Sequence, residues 1–182
     1  TAGWQGSGEK GDGGTNNRYY SKRVGRCNND GGGFSYENQT QQFQGSHGSR
    51  GTGLMIDIQA IKIGTSNEGD YANNSSSVMG ALDINGQLWT WGYNGHSGLG
   101  RNFRYNNNWY DSYVPSKIPQ QVFDNRKIRD FWLGGGNYQQ GHALDEDGNL
   151  WGWGYNGYGA LGLGDDEYQG QPRKVPYDFN RH

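Results

Sequence analysis

Short stretches of the chain alternate apolar and polar residues with a period of two, and turn residues break them apart. Ile58, Ala60 and the run Ile61 to Ile63 predict one strand, and Met79 to Ile84 predicts a second. Gln87 to Gly92 is the return strand, with Leu88 and Thr90 on one side and Trp89 and Trp91 on the other. Asn85-Gly86 and Asp147-Gly148 are read as two-residue hairpin turns, in which both central positions take positive φ. Asn94-Gly95 and Asn156-Gly157 open a further tight turn, and Pro-flanked segments follow as extended edge pieces.

This pattern occurs twice. From Ala81 the chain reads ALDINGQLWTWGYNGHSGLG, and from Ala143 it reads ALDEDGNLWGWGYNGYGALG. Thirteen of these 20 positions are identical, at a separation of 62 residues. Pro115 to Pro119 matches Pro172 to Pro176, and Ile58 to Gly64 parallels Ile128 to Gly134. The separations differ, 57 in the first case and 70 in the second, which places the length differences in polar Asn/Ser/Tyr stretches where insertions are cheap. Each copy is one supersecondary unit that needs a neighbour to bury its apolar face. Residues 1–53 carry no clear copy and are read as an irregular or degenerate N-terminal segment. Residues 54–182 hold two units and the start of a third.

The unit Ala-Leu-x-x-x-Gly-x-Leu-Trp-x-Trp-Gly-x-Asn-x-x-x-x-Leu-Gly resembles the repeat of the regulator of chromosome condensation family. Its first copy is carried by Ala81, Leu82, Gly86, Leu88, Trp91, Gly92, Asn94, Leu99 and Gly100. Ala143, Leu144, Gly148, Leu150, Trp153, Gly154, Asn156, Leu161 and Gly162 carry the second. The resemblance implies a β-propeller, one four-stranded blade per repeat. A usual ring of seven such units needs roughly 420 residues. The expected fold is therefore all-β: a partial propeller of antiparallel blades with an irregular Gly/Asn-rich N-terminal segment.

Composition sharpens this. The 34 Gly in 182 residues make long helices improbable, and 7 Trp, 13 Tyr and 6 Phe supply the core that few aliphatics could. Lys and Arg total 16 against 18 Asp and Glu, so no global basic field invites nucleic acid. Arg18, Lys22, Arg23 and Arg26 are a local basic group in a Gly/Asn-rich segment. Cys27 is the only cysteine, which excludes an intrachain disulfide and a Cys-based metal site. No apolar run approaches the ~18 residues of a membrane span. The opening Thr1-Ala2-Gly3-Trp4 is read as that of a processed product or a piece of something longer.

Catalytic groupings are not recognisable. Ser46 and His47 form no triad, the Gly runs lack a phosphate-loop Lys, and His47, His96, His142 and His182 have no zinc spacing. No cofactor is expected. Asp145 to Asn149 looks like the start of a calcium loop but is explained by a hairpin turn, while Asp165, Asp166 and Glu167 are candidate metal ligands. Trp89 with Trp91 and Trp151 with Trp153 could form a sugar-stacking platform. Their recurrence at equivalent positions reads as core instead, with Trp89 and Trp151 half exposed. His142 is assigned a structural hydrogen bond. The repeat residues Trp91, Gly92, Asn94, Leu99, Gly100, Trp153, Gly154, Asn156, Leu161 and Gly162 are structural.

The expected function is a non-catalytic structural or adhesive module of a larger assembly, of virion, tail-fibre or cell-surface type. The alternative is a propeller-based protein-binding regulator, GTPase- or chromatin-associated, or an enzyme or inhibitor on a propeller scaffold. Expected partners are other protein chains or further blades of the same polypeptide, within an oligomeric assembly, and not nucleic acid. An extracellular or virion-surface location is favoured over a cytoplasmic one.

Overall fold

The computed structural model describes residues 57–64, 77–102, 104–105, 108–109, 111–135 and 138–176. The irregular segment expected over 1–53 and the basic group at Arg18 to Arg26 lie outside these. The fold is all-β, a partial propeller of two four-stranded antiparallel blades. The first blade consists of β1 (Ile58–Gly64), β2 (Val78–Asp83) and β3 (Leu88–Gly92). A two-stranded ribbon, β4 (Arg104–Tyr105) and β5 (Asn108–Trp109), precedes its outer strand β6 (Ser112–Lys117). The second blade is β7 (Ile128–Leu133), β8 (Gln140–Asp145), β9 (Leu150–Gly154) and β10 (Gln169–Lys174). Among the described residues no helix is long and apolar enough to cross a membrane.

The two registers coincide. Ala81 pairs with Trp89 as Ala143 pairs with Trp151, and the innermost ladders slip at the same place, between Ile58 and Ala60 and between Ile128 and Asp130. Pro115 and Pro172 fall in the outer strands β6 and β10, where a missing N–H costs the sheet least.

The hairpin turns differ from the two-residue form expected. Gly86 N donates to Asp83 O (3.0 Å) and Asp83 N to Gln87 O (3.1 Å), so the turn closes over Ile84-Asn85. Asp145 to Asn149 does the same. In each turn only the glycine adopts positive φ, +78° at Gly86 and +85° at Gly148. This is the longer loop in which a left-handed glycine forms a bulge after the turn. Its cause is the leading aspartate. Asp83 Oδ1 accepts from Asn85 N (2.9 Å) and Gln87 N (3.0 Å), and Asp145 Oδ1 from Asp147 N (3.0 Å) and Asn149 N (2.8 Å). The second carboxylate oxygen takes the indole N–H of the return strand: Trp89 on Asp83 (3.2 Å), Trp151 on Asp145 (3.0 Å).

Those bonds also correct the expectation that Trp89 and Trp151 are half exposed. They are 1% and 3% exposed, each with its indole N–H tied to a buried carboxylate. Trp91 and Trp153 are fully buried. The core sits between the blades. Leu82, Leu88 and Ile118 of the first blade meet Phe131, Ala143, Trp151 and Trp153 of the second. Phe123, from the short 3-10 turn linking the blades, stands edge-on to Trp151 (5.5 Å) and Trp153 (6.4 Å). Gly80 leaves room for this packing, since a Cβ there would lie 2.7 Å from the Phe131 ring. Trp153 Nε1 donates to Gly98 O of the other blade (2.9 Å), and a Lys62–Asp130 ion pair joins the inner strands.

Candidate functional site: the aromatic loop end

Each blade leaves its third strand through a glycine with positive φ, Gly92 (+102°) and Gly154 (+93°). A side chain there would meet a backbone carbonyl, that of Ser77 in one blade and Gln139 in the other. The next residue, Tyr93 or Tyr155, donates its backbone N–H to that same carbonyl (3.0 and 2.7 Å). Asn94 and Asn156 then close the loop, because Asn94 Oδ1 accepts from Leu99 N (3.1 Å) and Asn156 Oδ1 from Leu161 N (2.9 Å). Both asparagines and both leucines are buried, and the glycines that follow the leucines, Gly100 (φ +68°) and Gly162 (φ +70°), take the left-handed backbone that ends the loop. The rings of Tyr93 and Tyr155 fold back over Gly95 and Gly157, where a Cβ would force the ring to move.

These two loops meet at one end of the blades and bring aromatic rings together. His96 sits at the centre with left-handed backbone (φ +53°). It stacks on Tyr138 (5.7 Å, 21°) and is edge-on to Tyr155 (5.4 Å) and Tyr168 (5.1 Å). Tyr155 also lies 4.6 Å from Tyr138, 5.2 Å from Tyr168 and 6.3 Å from Tyr158. Tyr138, Tyr158 and Tyr168 are exposed, Tyr158 at 91%. Underneath, the buried Gln139 amide donates to Tyr93 O (2.9 Å) and Gly95 O (3.3 Å) in its hydrogen-bonding orientation, which pins one blade's loop to the other. Burial lowers the His96 pKa, which favours the neutral ring. Burial first, and then the neighbouring phenols, raise that of Tyr155.

The acidic run borders this cluster. Asp165 O and Oδ1 accept from Asn156 Nδ2 (2.8 and 3.1 Å), which seats the run against Tyr155, and Tyr168 follows it directly. Asp165 Oδ2 pairs with Arg173 (2.6 Å), and this hydrogen bond holds the carboxyl below its usual range. Asp166 and Glu167 are exposed, and no described residue engages either carboxylate. Among the described residues no group of three or more His, Cys, Asp or Glu is placed to hold a metal ion.

His142 is half-buried on β8, opposite Gly152 of β9. It hydrogen-bonds the backbone of Leu161, and burial lowers its pKa. Sequence reasoning passed over the Tyr138–Tyr155–Tyr168 grouping. The doubled Tyr-Asn-Gly was a signal, but contacts running from His96 to Tyr168 depend on loop geometry that no periodicity encodes.

The description "Regulator of chromosome condensation (RCC1) repeat" fits residues 147–182. The ultraviolet-B receptor UVR8 of Arabidopsis thaliana is 37% identical over 97 residues, 52% of this chain and 19% of that protein. Among solved structures, human WBSCR16 aligns at a TM-score of 0.47 with 25% identity over 66% of this chain and 26% of its own. Yeast RCC1 (Prp20), solved with Kap60, aligns at 0.47 with 22% identity over 68% of this chain and 26% of its own. The chain spans about a fifth of the curated relative's length.

Proposed function

We propose that this chain, which carries repeats of the regulator of chromosome condensation family, is a protein-binding module of regulator type, not an enzyme. The observation that carries this is the exposed Tyr/His surface, built by loops of both blades and locked from beneath by Gln139. Aromatic side chains on a rigid support are the usual anchors of protein interfaces. The buried carboxylates Asp83 and Asp145 and the half-buried His142 support the same reading, since each is bonded within its own blade and serves the scaffold. The expectation of a structural or adhesive assembly module draws no support from the similarity to a receptor, which favours the regulator alternative.

The test is affinity capture with the wild-type protein and with Tyr158→Ala/Tyr168→Ala, both checked for matching circular dichroism and melting temperature. Specific protein partners retained by the wild type and lost by the double variant are the expected result. An identical partner set would remove the aromatic end from the function.

A further inference from the structure

We propose that the aromatic loop end binds an arginine-bearing peptide segment of its partner, with Tyr138, Tyr155, Tyr158 and Tyr168 offering ring faces and Asp166 and Glu167 the counter-charge. The inference deepens the protein-binding reading and rests on it. Three observations fix the chemistry of the occupant.

The tyrosine rings around Tyr155 are tilted against it, not coplanar. Tyr155 lies at 48° to Tyr138, 38° to Tyr168 and 63° to Tyr158. Rings turned against one another present several π faces to a single cation, where a sugar stacks on one flat face. The charge left unpaired beside the rings is negative. Asp165 is satisfied by Arg173, yet Asp166 and Glu167 beside it stay exposed and unengaged by any described residue. Finally, burial disfavours the charged form of His96, the ring that Tyr138, Tyr155 and Tyr168 surround, so it is a poor competitor for a cation there. A planar guanidinium can stack on a phenol and fork onto a carboxylate at once, which an ammonium does less well.

The experiment is fluorescence anisotropy of a labelled glycine-spaced oligoarginine peptide, with oligolysine, oligoglutamate and a neutral oligosaccharide as comparison probes. The wild-type protein should bind the arginine peptide most tightly, with affinity falling as salt rises. Tyr158→Ala/Tyr168→Ala should weaken binding about tenfold, from two lost cation–π contacts. Asp166→Asn/Glu167→Gln, which leaves every ring in place, should weaken it several-fold and flatten the salt dependence. Arginine and lysine peptides binding alike to wild type and both variants would overturn the proposal, as would capture of the oligosaccharide alone. Loss of cellular partners by the tyrosine variant without any arginine-peptide binding would sink this inference and leave the protein-binding reading standing.

Discussion

The two blades share a frame and differ in what fills it. In both, an aspartate ends the second strand, ties the turn and holds an indole six residues on. In both, an asparagine caps a loop whose leucine goes into the core. The variation comes in compensating pairs. Gly80 faces Thr90 in the first blade, and Thr90 Oγ1 donates to Leu99 O (2.7 Å). At the same two positions the second blade has His142 facing Gly152, and the bond to the equivalent Leu161 comes from the histidine. One strand donates the side chain and the other is glycine, with the roles exchanged. The first arrangement leaves the face over Gly80 bare, and Phe131 and Leu133 of the next blade pack there. A second contrast is Ile61 against its counterpart Phe131: 56% exposed in the first blade, fully buried in the second. The repeat therefore specifies a face that needs a neighbour, and the second blade's face has one.

The largest expected effect comes from the residue that joins the blades. Trp153 fills the shared core and donates across it to Gly98 O. Trp153→Ala should cost about 3–5 kcal/mol, the range for truncating a core aromatic. Trp153→Phe keeps most of the volume and loses the hydrogen bond, so it should cost less. Denaturant midpoints measure both. A midpoint unmoved by the alanine would mean that the blades fold independently.

The exit glycines come next, and they test whether the frame is truly shared. Gly92→Ala and Gly154→Ala each combine a positive φ with a Cβ driven onto a backbone carbonyl. Each should cost about 1–3 kcal/mol. Gly164 also has positive φ (+84°) but open space around it, so Gly164→Ala should carry only the backbone strain, about 1 kcal/mol. If all three cost alike in thermal melts, carbonyl contact adds nothing and φ alone selects these glycines.

What could be read in advance follows from this division. The strands and the burial of Trp91 and Trp153 rest on period-two alternation and on a repeat spaced by 62 residues, both visible in the letters. The turn form was missed because Asn-Gly and Asp-Gly suit two geometries, and a side chain two residues earlier decides between them. The same carboxylates bury Trp89 and Trp151, although period two alone puts Trp89 with Trp91 without saying what covers it. Phe123 was invisible because it lies in a linker with no pattern, and Asp124 and Asn125 beside it bend the chain with positive φ (+54° and +61°). The aromatic end shows the general limit. Its residues come from four separate segments, and only the closed loops bring them together.

The exchanged pair supplies a test by pH. Burial lowers the folded-state pKa of His142 below that of the unfolded chain. The unfolded state then binds more protons as pH falls through about 6.5, so this group's contribution to stability declines on acidification and levels off below the folded pKa. Gly80 at the matching site of the first blade has nothing to titrate. His142→Gln should therefore reduce the loss of stability between pH 7 and pH 5. His96, lowered by burial at the loop end, sustains part of the slope in the variant. Melting temperatures across that range read the difference. An unchanged slope would put the proton uptake elsewhere.

The smallest effect is expected where the two loops diverge most. Position for position, Tyr158 of the second blade corresponds to His96 of the first. His96 is wedged among three tyrosines with strained backbone, whereas Tyr158 is 91% exposed and touches the cluster only through Tyr155 at 6.3 Å. Side chains that exposed contribute little to folding, so Tyr158→Ala should change stability by less than about 0.5 kcal/mol. His96→Ala should cost more, because it removes three ring contacts and leaves a β-carbon at positive φ without the packing that holds it there. Urea midpoints of the two variants, compared in one buffer, decide the matter. Should Tyr158→Ala prove the more damaging, the exposed ring would be part of the fold, and the loop end could no longer be treated as a surface left free for a partner.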